Sequence, residues 1–529
     1  VIFRGLTLDP FQEDAITALS EGHSVLVCAP TGTGKTIIAD WIVDRALTRD
    51  RDVIYTAPVK ALSNQKFRDW CRAYGEDRVG LLTGDLVIRR DARCRVMTTE
   101  ILRNMLLAGE ELPELDAVII DEIHFLDDRE RGTTWEELLI YLPNRVQIVG
   151  LSATLSNANS FAAWISSIRE TEVRVIRQEQ RAVPLEPWIG NLDEGLLTPR
   201  DFDRAHVRWR KRHHPRGGGR HRGPTTSHVD VFDQVSDRGW LPALYFAFSR
   251  KATEQYARNL ARRVRRSLLT AEERAVVRER LDKLASTDPG LVDGDLRELY
   301  ESGIAFHHAG LHVTLKAFVE ELYESRLLRI LYCTSTFALG INMPARTVVF
   351  DGLRKFDGTS MRALTTREFL QKAGRAGRRG LDTVGHVVIR MDHPDWEEAS
   401  AQLLHYFQGK PEPVRSSFSL SFNSVVNLVA RNPLERIRSI VEKSFLNYHR
   451  QLEARRLLED ADRLLDGPAG KKAAKEAARM RHRAQSRAGQ CWDEFQAKVS
   501  FLQSIGYLGE GLELQAGGKA LQHVQIEEI

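Results

Sequence analysis

The sequence predicts an α/β protein: two tandem doubly wound parallel-sheet domains followed by a helical C-terminal segment. Three observations carry this prediction. Short, almost wholly apolar runs alternate with longer amphipathic segments, as expected of strands buried on both faces of a parallel sheet. The rhythm occurs twice. After Arg390 it gives way to helical periodicity alone. At 529 residues the chain exceeds what one hydrophobic core serves, so several domains are required.

In the first unit the candidate strands are Val25–Ala29, Val53–Thr56, Arg95–Thr98, Ala117–Ile120 and Val146–Ser152. In the second they are Leu244–Phe248, Ile304–His307, Arg329–Cys333, Thr347–Phe350 and Gly385–Arg390. Between the units, Arg204–Gly223 is dense in Arg, Lys and His, contains Gly217-Gly218-Gly219 and has no acidic residue. It reads as a solvated linker or as a flexible phosphate-binding arm. Further on, Ser416–Lys443 reads as a compact helical unit. Leu446–Leu465 is a helix stopped by Gly467-Pro468, and a basic helix around Lys471–Arg487 completes a hairpin. Phe495, Val499, Leu502 and Ile505 mark a further amphipathic helix. The expected divisions are 1–178 and 239–394 for the α/β domains, with a basic flexible linker at 179–238. A compact domain at 395–447, a short helical hairpin at 448–490 and the start of a helical bundle at 491–529 follow.

Bulk composition excludes more than it assigns. With 42% hydrophobic and 28% charged residues the chain is of ordinary globular type, and no apolar run nears the roughly 20 residues that cross a bilayer. The opening Val1-Ile2-Phe3-Arg4 lacks a signal-peptide pattern, and the missing Met is expected of a trimmed product. Cys28, Cys71, Cys94, Cys333 and Cys491 form no CxxC pair, which argues for a reducing, cytoplasmic compartment and against a zinc site. A net charge of +4 is too small to establish nucleic-acid binding by itself.

The chemistry sits at strand ends, where open parallel sheets hold their ligands. Ala29-Pro30-Thr31-Gly32-Thr33-Gly34-Lys35-Thr36 follows a strand and opens a helix. Its glycines let backbone N–H groups curl around phosphates at a helix N-terminus. Lys35 is expected to reach the β- and γ-phosphates of ATP and Thr36 to hold Mg²⁺. A glycine-rich turn without ligand is the bland alternative. Asp121-Glu122-Ile123-His124 follows the apolar strand Ala117–Ile120. A carboxylate there needs a cation, so Asp121 is the expected Mg²⁺ partner of Thr36, and Glu122 the group that orients and deprotonates water. In the second unit, Gln371-Lys372-Ala373-Gly374-Arg375-Ala376-Gly377-Arg378-Arg379-Gly380 is either a solvated basic turn or a phosphate-facing loop. A second domain facing a phosphate loop needs arginine fingers, and Arg375 and Arg378 are assigned that role.

In this order the motifs resemble those of superfamily-two DExH helicases, and more closely the RNA helicase branch of the Ski-two-like family, over most of the chain. The resemblance implies two RecA-like domains, a winged-helix domain at 395–447 and a reduced arch in the hairpin. It implies that Phe11 and Gln12, in Leu8-Asp9-Pro10-Phe11-Gln12, recognise adenine, with Thr31, Gly32, Thr33, Gly34, Lys35, Thr36, Gly340 and Asn342 around the nucleotide. Lys35, Asp121, Glu122, Gln371, Arg375 and Arg378 form the implied hydrolytic set. Pro58 and Lys60 in motif Ia, Thr83 and Gly84 in Ib, and Thr98 and Thr99 in Ic are implied to touch one strand's backbone. Ser249 and Arg250 in motif IV, and Thr334 and Thr336 in motif V, do so from the second domain. Ser152-Ala153-Thr154 resembles motif III, and Asp357-Gly358 offers the turn of a strand-separating hairpin. His307-His308-Ala309-Gly310-Leu311 is also characteristic of the family, but its histidines are assigned no chemistry.

The function expected is an ATP- and Mg²⁺-dependent RNA helicase or translocase, moving 3′ to 5′ on single-stranded or partly duplex RNA. It is expected to be a monomer without a membrane partner, serving RNA-degradation or processing factors. A DNA repair helicase and a silent nucleic-acid-binding scaffold are the alternatives. The scaffold is disfavoured because Lys35, Asp121, Glu122, Arg375 and Arg378 are all present.

Overall fold

The computed structural model describes residues 2–128, 131–212, 225–264, 266–338, 344–356, 360–466 and 471–522, with the side chains of Thr336 and Ala338 also left aside. Gly340, Asn342, Asp357-Gly358, Gly217-Gly218-Gly219 and Gly467-Pro468 therefore lie outside the described residues.

The first α/β lobe carries an eight-stranded sheet ordered Val173–Arg177, Ser24–Cys28, Gln147–Ser152, Leu115–Ile120, Asp52–Ala57, Cys94–Thr98, Val79–Leu82, Val87–Ile88. All pairs are parallel except the last. Successive side chains point to opposite faces. Val25, Val27, Val53 and Tyr55 pack under Phe11, Ile38, Ile42 and Trp70 on one face. Leu26, Cys28 and Ile54 meet Leu102, Trp135, Phe161 and Trp164 on the other. The sheet is thus sandwiched between two helical layers.

The second lobe is built on a seven-stranded sheet ordered Gly195–Leu197, Leu185–Asn191, Gly385–Arg390, Thr347–Phe350, Ala243–Phe246, Ile330–Cys333, Ile304–His307. Only Gly195–Leu197 runs antiparallel. This corrects the expectation of a flexible linker over 179–238. Leu185–Asn191 is a strand paired with Gly385–Arg390, and Pro199–Arg212 and His228–Asp237 are helices with Phe202, Val231 and Phe232 in the lobe's core. Glu186 and Pro187 hid the strand. Pro187 is tolerated because the antiparallel neighbour covers only Ile189–Asn191, leaving the strand's start at a sheet edge.

The second lobe also runs past its expected end at 394. The helix Trp396–Gln408 buries Trp396, Leu403 and Tyr406 in the lobe's core, with Tyr406 stacked 4.5 Å from Phe369. The chain then returns across the first lobe. Asn157 and Val414 exchange hydrogen bonds of 2.8 and 2.9 Å. Buried Glu136 accepts from Ser416 Oγ and from the Phe445 backbone at 2.9 Å.

A last core joins both sides of the hairpin. Val425, Val426, Ile437 and Ile440, from the helices Phe422–Arg431 and Leu434–Lys443, pack with Cys491, Phe495, Val499 and Leu502. The expected division at 491 is therefore corrected. Lys471–Ser504 is one helix of 34 residues, and its distal half completes the core begun before the hairpin. The hairpin, Phe445–Leu465 against the start of that helix, is an insertion in this small unit. An isolated bridge joins Leu508 and Leu514 beyond it.

Candidate functional site: a cleft between two lobes

The strand Ser24–Cys28 delivers residues 29–35 to the N-terminus of the helix Thr36–Thr48. Gly32 and Gly34 adopt φ of +83° and +86°, which glycine takes without penalty. A Cβ on Gly34 would also stand 2.9 Å from Gln12 Nε2. Thr33 Oγ1 donates to the Pro30 carbonyl at 2.8 Å, and Lys35 Nζ donates to the carbonyls of Ala29 (2.6 Å) and Pro30 (3.1 Å). Burial pushes the Lys35 ammonium down, while Glu122 and Asp121 oppose that shift.

The two carboxylates leave the end of Leu115–Ile120 in different directions because Glu122 takes a left-handed φ of +51°. Asp121 accepts from the Glu122 backbone at 2.9 Å and from the Tyr55 hydroxyl. Burial, and then the Asp121 charge, raise Glu122 to about 7 against the pull of Lys35 and Arg375. His124 is buried, with Nδ1 3.2 Å from Ser152 Oγ and 3.4 Å from Glu122 Oε2. Desolvation holds it well below the usual histidine range, so its Nε2, 2.7 Å from Gln371 Nε2, accepts from that amide.

Gln371 comes from the second lobe, on the helix Thr366–Ala373, which is capped by Thr365 and Glu368 acting reciprocally. This helix grips several parts at once. Glu368 accepts from Lys355 (2.5 Å) and twice from Arg362 (2.8 and 2.9 Å), on the two strands of the Arg354–Phe356/Met361–Ala363 hairpin. Those cations draw its carboxyl down to about 2 despite desolvation, the largest single influence. Arg367 pairs with Asp127 of the first lobe and donates to the Glu412 carbonyl at 2.7 Å. The helix then runs into the arginine loop.

Arg375 is 7% exposed. Burial lowers its guanidinium, while the Glu122 charge, Tyr323 and the Asp121 charge support it. Arg378 also lines the cleft, but Asp382 holds its guanidinium at 2.7 and 2.9 Å. The cleft has a volume of about 620 Å³, within the range of small-molecule sites. Thr31, Gly32, Gly34, Lys35, Thr36, Asp121 and Glu122 form one wall, and Arg375, Gly377, Arg378 and Arg379 stand on the other.

Three expected nucleotide contacts do not line this cleft. Phe11 is 4% exposed and belongs to the first lobe's core, because the amphipathic helix Pro10–Ser20 turns its ring inward. Gln12 is buried too: its Oε1 accepts from the Asp9 backbone at 2.8 Å and its Nε2 donates to the Gly34 carbonyl at 3.0 Å. It braces the phosphate loop from behind. Thr33 is 3% exposed.

Two residues that sequence reasoning missed bridge the lobes. Arg379 makes a fork to Asp9 at 2.9 and 3.0 Å, and only its adjacency to the assigned arginines could have pointed to it. Arg181 donates to the Thr31 carbonyl at 2.9 Å and to the Gly374 and Ala376 carbonyls at 3.0 and 3.2 Å. No sequence signal marks it.

The expected nucleic-acid residues cluster along the sheets' C-terminal edges. Pro58, Thr83 and Thr99 follow the strands Asp52–Ala57, Val79–Leu82 and Cys94–Thr98. In the first lobe these strands lie beside those carrying the phosphate loop and the carboxylates, so one sheet edge divides into two halves. Lys60 is exposed and sits 3.1 Å from Asp85, which also accepts from Thr83 Oγ1 at 2.9 Å, with Gly84 between them. The fully buried Thr99 is a correction: its hydroxyl donates to the Ala57 carbonyl at 3.4 Å instead of facing outward. Thr98 is 7% exposed and stands at the N-cap position of the helix Thr99–Leu107 without a side-chain capping bond. In the second lobe Ser249 caps the helix Arg250–Arg263, Arg250 is exposed beside Gly310, and Thr334 follows Ile330–Cys333.

Residues 9–161 match the model of the DEAD/DEAH box helicase family. Over 479 residues the chain is 41% identical to the Mycobacterium tuberculosis protein named Probable helicase HelY, covering 84% of this chain and 51% of that one. It is 39% identical over 464 residues to the Exosome RNA helicase MTR4 of Homo sapiens, covering 83% and 44%. The superkiller complex protein 2 of Mus musculus is 37% identical over 473 residues, covering 83% and 37%. The chain spans about half the length of the first of these or less.

Proposed function

We propose that this chain, which belongs to the Ski-two-like family of DExH helicases, hydrolyses ATP between its α/β lobes and uses the cycle to move along and unwind RNA. One observation carries the reading. The Lys35 ammonium, the Asp121 and Glu122 carboxylates and the Arg375 guanidinium line one cleft, although Arg375 comes from the other lobe.

Such a site assembles only when the lobes approach, which couples chemistry to motion. Lys35 and the backbone amides of the phosphate loop neutralise and orient the triphosphate. Arg375 stabilises charge on the transferred phosphoryl group. Glu122 orients the attacking water and takes its proton. Gln371 and His124 hold the two walls in register through their 2.7 Å contact. The hydroxyl of Thr36 and the carboxylate of Asp121 line the same cleft and form the all-oxygen donor set that Mg²⁺ takes, so these residues fit the ion. Bound there, it would neutralise the β- and γ-phosphate oxygens.

The strand-end residues Lys60, Thr83, Gly84 and Thr334 form the proposed RNA track, with Arg250 beside it. Movement from 3′ to 5′ follows from the family resemblance. The unit at 415–443 with 491–522 is proposed as a winged-helix domain with the helical hairpin inserted in it. RNA-degradation or processing factors are the proposed partners of a monomeric, cytoplasmic chain, because two relatives are named for an exosome and a superkiller complex. Among the described residues no helix is long and apolar enough to cross a membrane.

The test compares ATPase rates with single-stranded RNA and DNA of matched length, then unwinding of duplexes with 3′ or 5′ overhangs. RNA stimulation well above DNA stimulation supports the reading. Equal or better stimulation by DNA moves it to a DNA helicase, and no stimulation by either rejects a nucleic-acid motor.

A further inference from the structure

Arg181 lies in the connection between the strand Val173–Arg177 of the first sheet and Leu185–Asn191 of the second. It therefore belongs to neither lobe, yet its guanidinium is bonded to both. One terminal nitrogen, Nη1, donates to the Thr31 carbonyl of the phosphate loop at 2.9 Å. The other, Nη2, donates to the carbonyls of Gly374 and Ala376, flanking Arg375, at 3.0 and 3.2 Å. Nε donates to the Val183 carbonyl at 3.2 Å, which ties the fork back to its own connecting segment.

The two loops approach closely around this fork. A Cβ on Gly374 would stand 3.1 Å from Arg181 Nη1, 3.1 Å from the Thr31 Cβ and 2.8 Å from the Leu370 carbonyl. A Cβ on Gly32 would come into van der Waals range of the Gly374 carbonyl, at 4.0 Å, so the loops of the two lobes face each other here. Burial alone pushes the Arg181 guanidinium down, to about 10, with no carboxylate contributing, so it remains protonated at neutral pH. A half-buried cation satisfied by carbonyls alone, with no carboxylate partner, has its charge met entirely by fixed backbone dipoles. Here those carbonyls belong to the two loops whose mutual placement sets the distance between Lys35 and Arg375. A planar fork with fixed donor directions suits three carbonyls in a way that a point charge does not.

We propose that Arg181 is a positioning residue for hydrolysis: it pins the arginine loop of the second lobe against the phosphate loop of the first, and so places Arg375 on the transferred phosphoryl group. This rests on the ATP reading of the cleft. Arg181 touches the loops' backbones and leaves the phosphate-binding groups of the first lobe in place. Its loss should therefore fall on turnover and spare nucleotide affinity.

The experiment makes Arg181→Ala and Arg181→Lys in the 529-residue chain. It measures RNA-stimulated ATPase for kcat and KM, binding of a fluorescent ADP analogue, and melting temperature. Misplacing a reacting group by about 1 Å costs about 100-fold, so Arg181→Ala is expected to lose about 10- to 100-fold in kcat. KM and ADP-analogue affinity should stay within about threefold. Arg181→Lys should be intermediate, because an ammonium can reach some of these carbonyls without the fork. Millimolar guanidinium should restore part of the alanine variant's rate and none of the wild type's. A folded Arg181→Ala with wild-type kcat overturns the inference, as does a rise in KM at unchanged kcat. Should the alanine variant not fold, Arg181→Lys decides: wild-type kcat there overturns the inference and a several-fold loss at constant KM supports it. A wild type without RNA-stimulated turnover defeats the ATP reading and this inference together, whereas an active wild type matched by an active alanine variant defeats only the role of Arg181.

Discussion

Changing Glu136 to glutamine should make the attachment of the hairpin's base to the first lobe independent of pH. Glu136 is 1% exposed on the helix Thr133–Tyr141, and its two oxygens receive Ser416 Oγ and the Phe445 backbone N–H. Desolvation outweighs these hydrogen bonds and raises the carboxyl from 4.5 to about 7. The folded state therefore binds a proton that the unfolded state has released. A raised folded pKa contributes stability that is complete below about pH 4.5 and is lost as the pH climbs through 7. At about 1.4 kcal/mol per unit, the wild type should lose about 2 kcal/mol between about pH 5.5 and pH 8 from this group alone. Glutamine is neutral throughout: its carbonyl can accept from Phe445 and its amide can donate to Ser416. The sensitive assay is hydrogen exchange of peptides spanning the start of the helix Phe445–Leu465, because a chain of several domains does not unfold in two states. The ratio of wild-type to Glu136→Gln protection at each pH cancels intrinsic exchange. It should fall by about 30-fold across that range, the equivalent of about 2 kcal/mol. A ratio constant to within about threefold would refute the reasoning and mean that Glu136 remains ionised in its pocket.

Four further outcomes are expected. Glu122→Gln should retain nucleotide binding and lose about 100- to 10,000-fold in kcat; near-normal turnover would mean that another group handles the water. Arg375→Ala should cost at least 1,000-fold, and Arg378→Ala much less because Asp382 already holds that side chain. Equal losses in the two would contradict the asymmetry between them. Glu368→Gln weakens the grip on Lys355 and Arg362, so duplex unwinding should drop several-fold more than RNA-stimulated ATPase; parallel losses would show that the hairpin is not driven through this helix. Finally, the log–log dependence of RNA affinity on salt should have a slope of about −3 to −5, at roughly −0.7 per neutralised phosphate on a single strand; a slope near zero removes the phosphate track.

What could be read from the sequence follows from how local each signal is. The phosphate loop and Asp121-Glu122 announce themselves because glycine spacing and a carboxylate after an apolar strand are constraints within a few residues. The strand Leu185–Asn191 escaped because it is stabilised by partners about 200 positions away, while Glu186 and Pro187 contradict it locally. The continuity of Lys471–Ser504 escaped for a related reason. Its first half is basic and largely exposed apart from Ala477 and Ala484, its second half packs against Val425 and Ile437, and that change of environment imitates a change of element. Among site residues, Phe11 and Thr99 show the opposite error: position in a motif suggested contact, and burial decided otherwise. Arg181 is invisible to any local pattern, because its three cross-lobe acceptors are backbone carbonyls that carry no sequence identity.

The unbroken 34-residue helix Lys471–Ser504 also has a mechanical meaning. At 1.5 Å per residue it is a rod of roughly 51 Å, clamped at one end where Cys491, Phe495, Val499 and Leu502 are buried. Lys471 stands roughly 30 Å beyond that clamp. A stiff rod magnifies rotation at its fulcrum in proportion to length, so a tilt of about 10° within the small core sweeps Lys471 through roughly 5 Å. Whatever meets the Lys471 end of the rod meets a long-armed indicator, on which a slight adjustment beside the first lobe is written as a displacement larger than an atom.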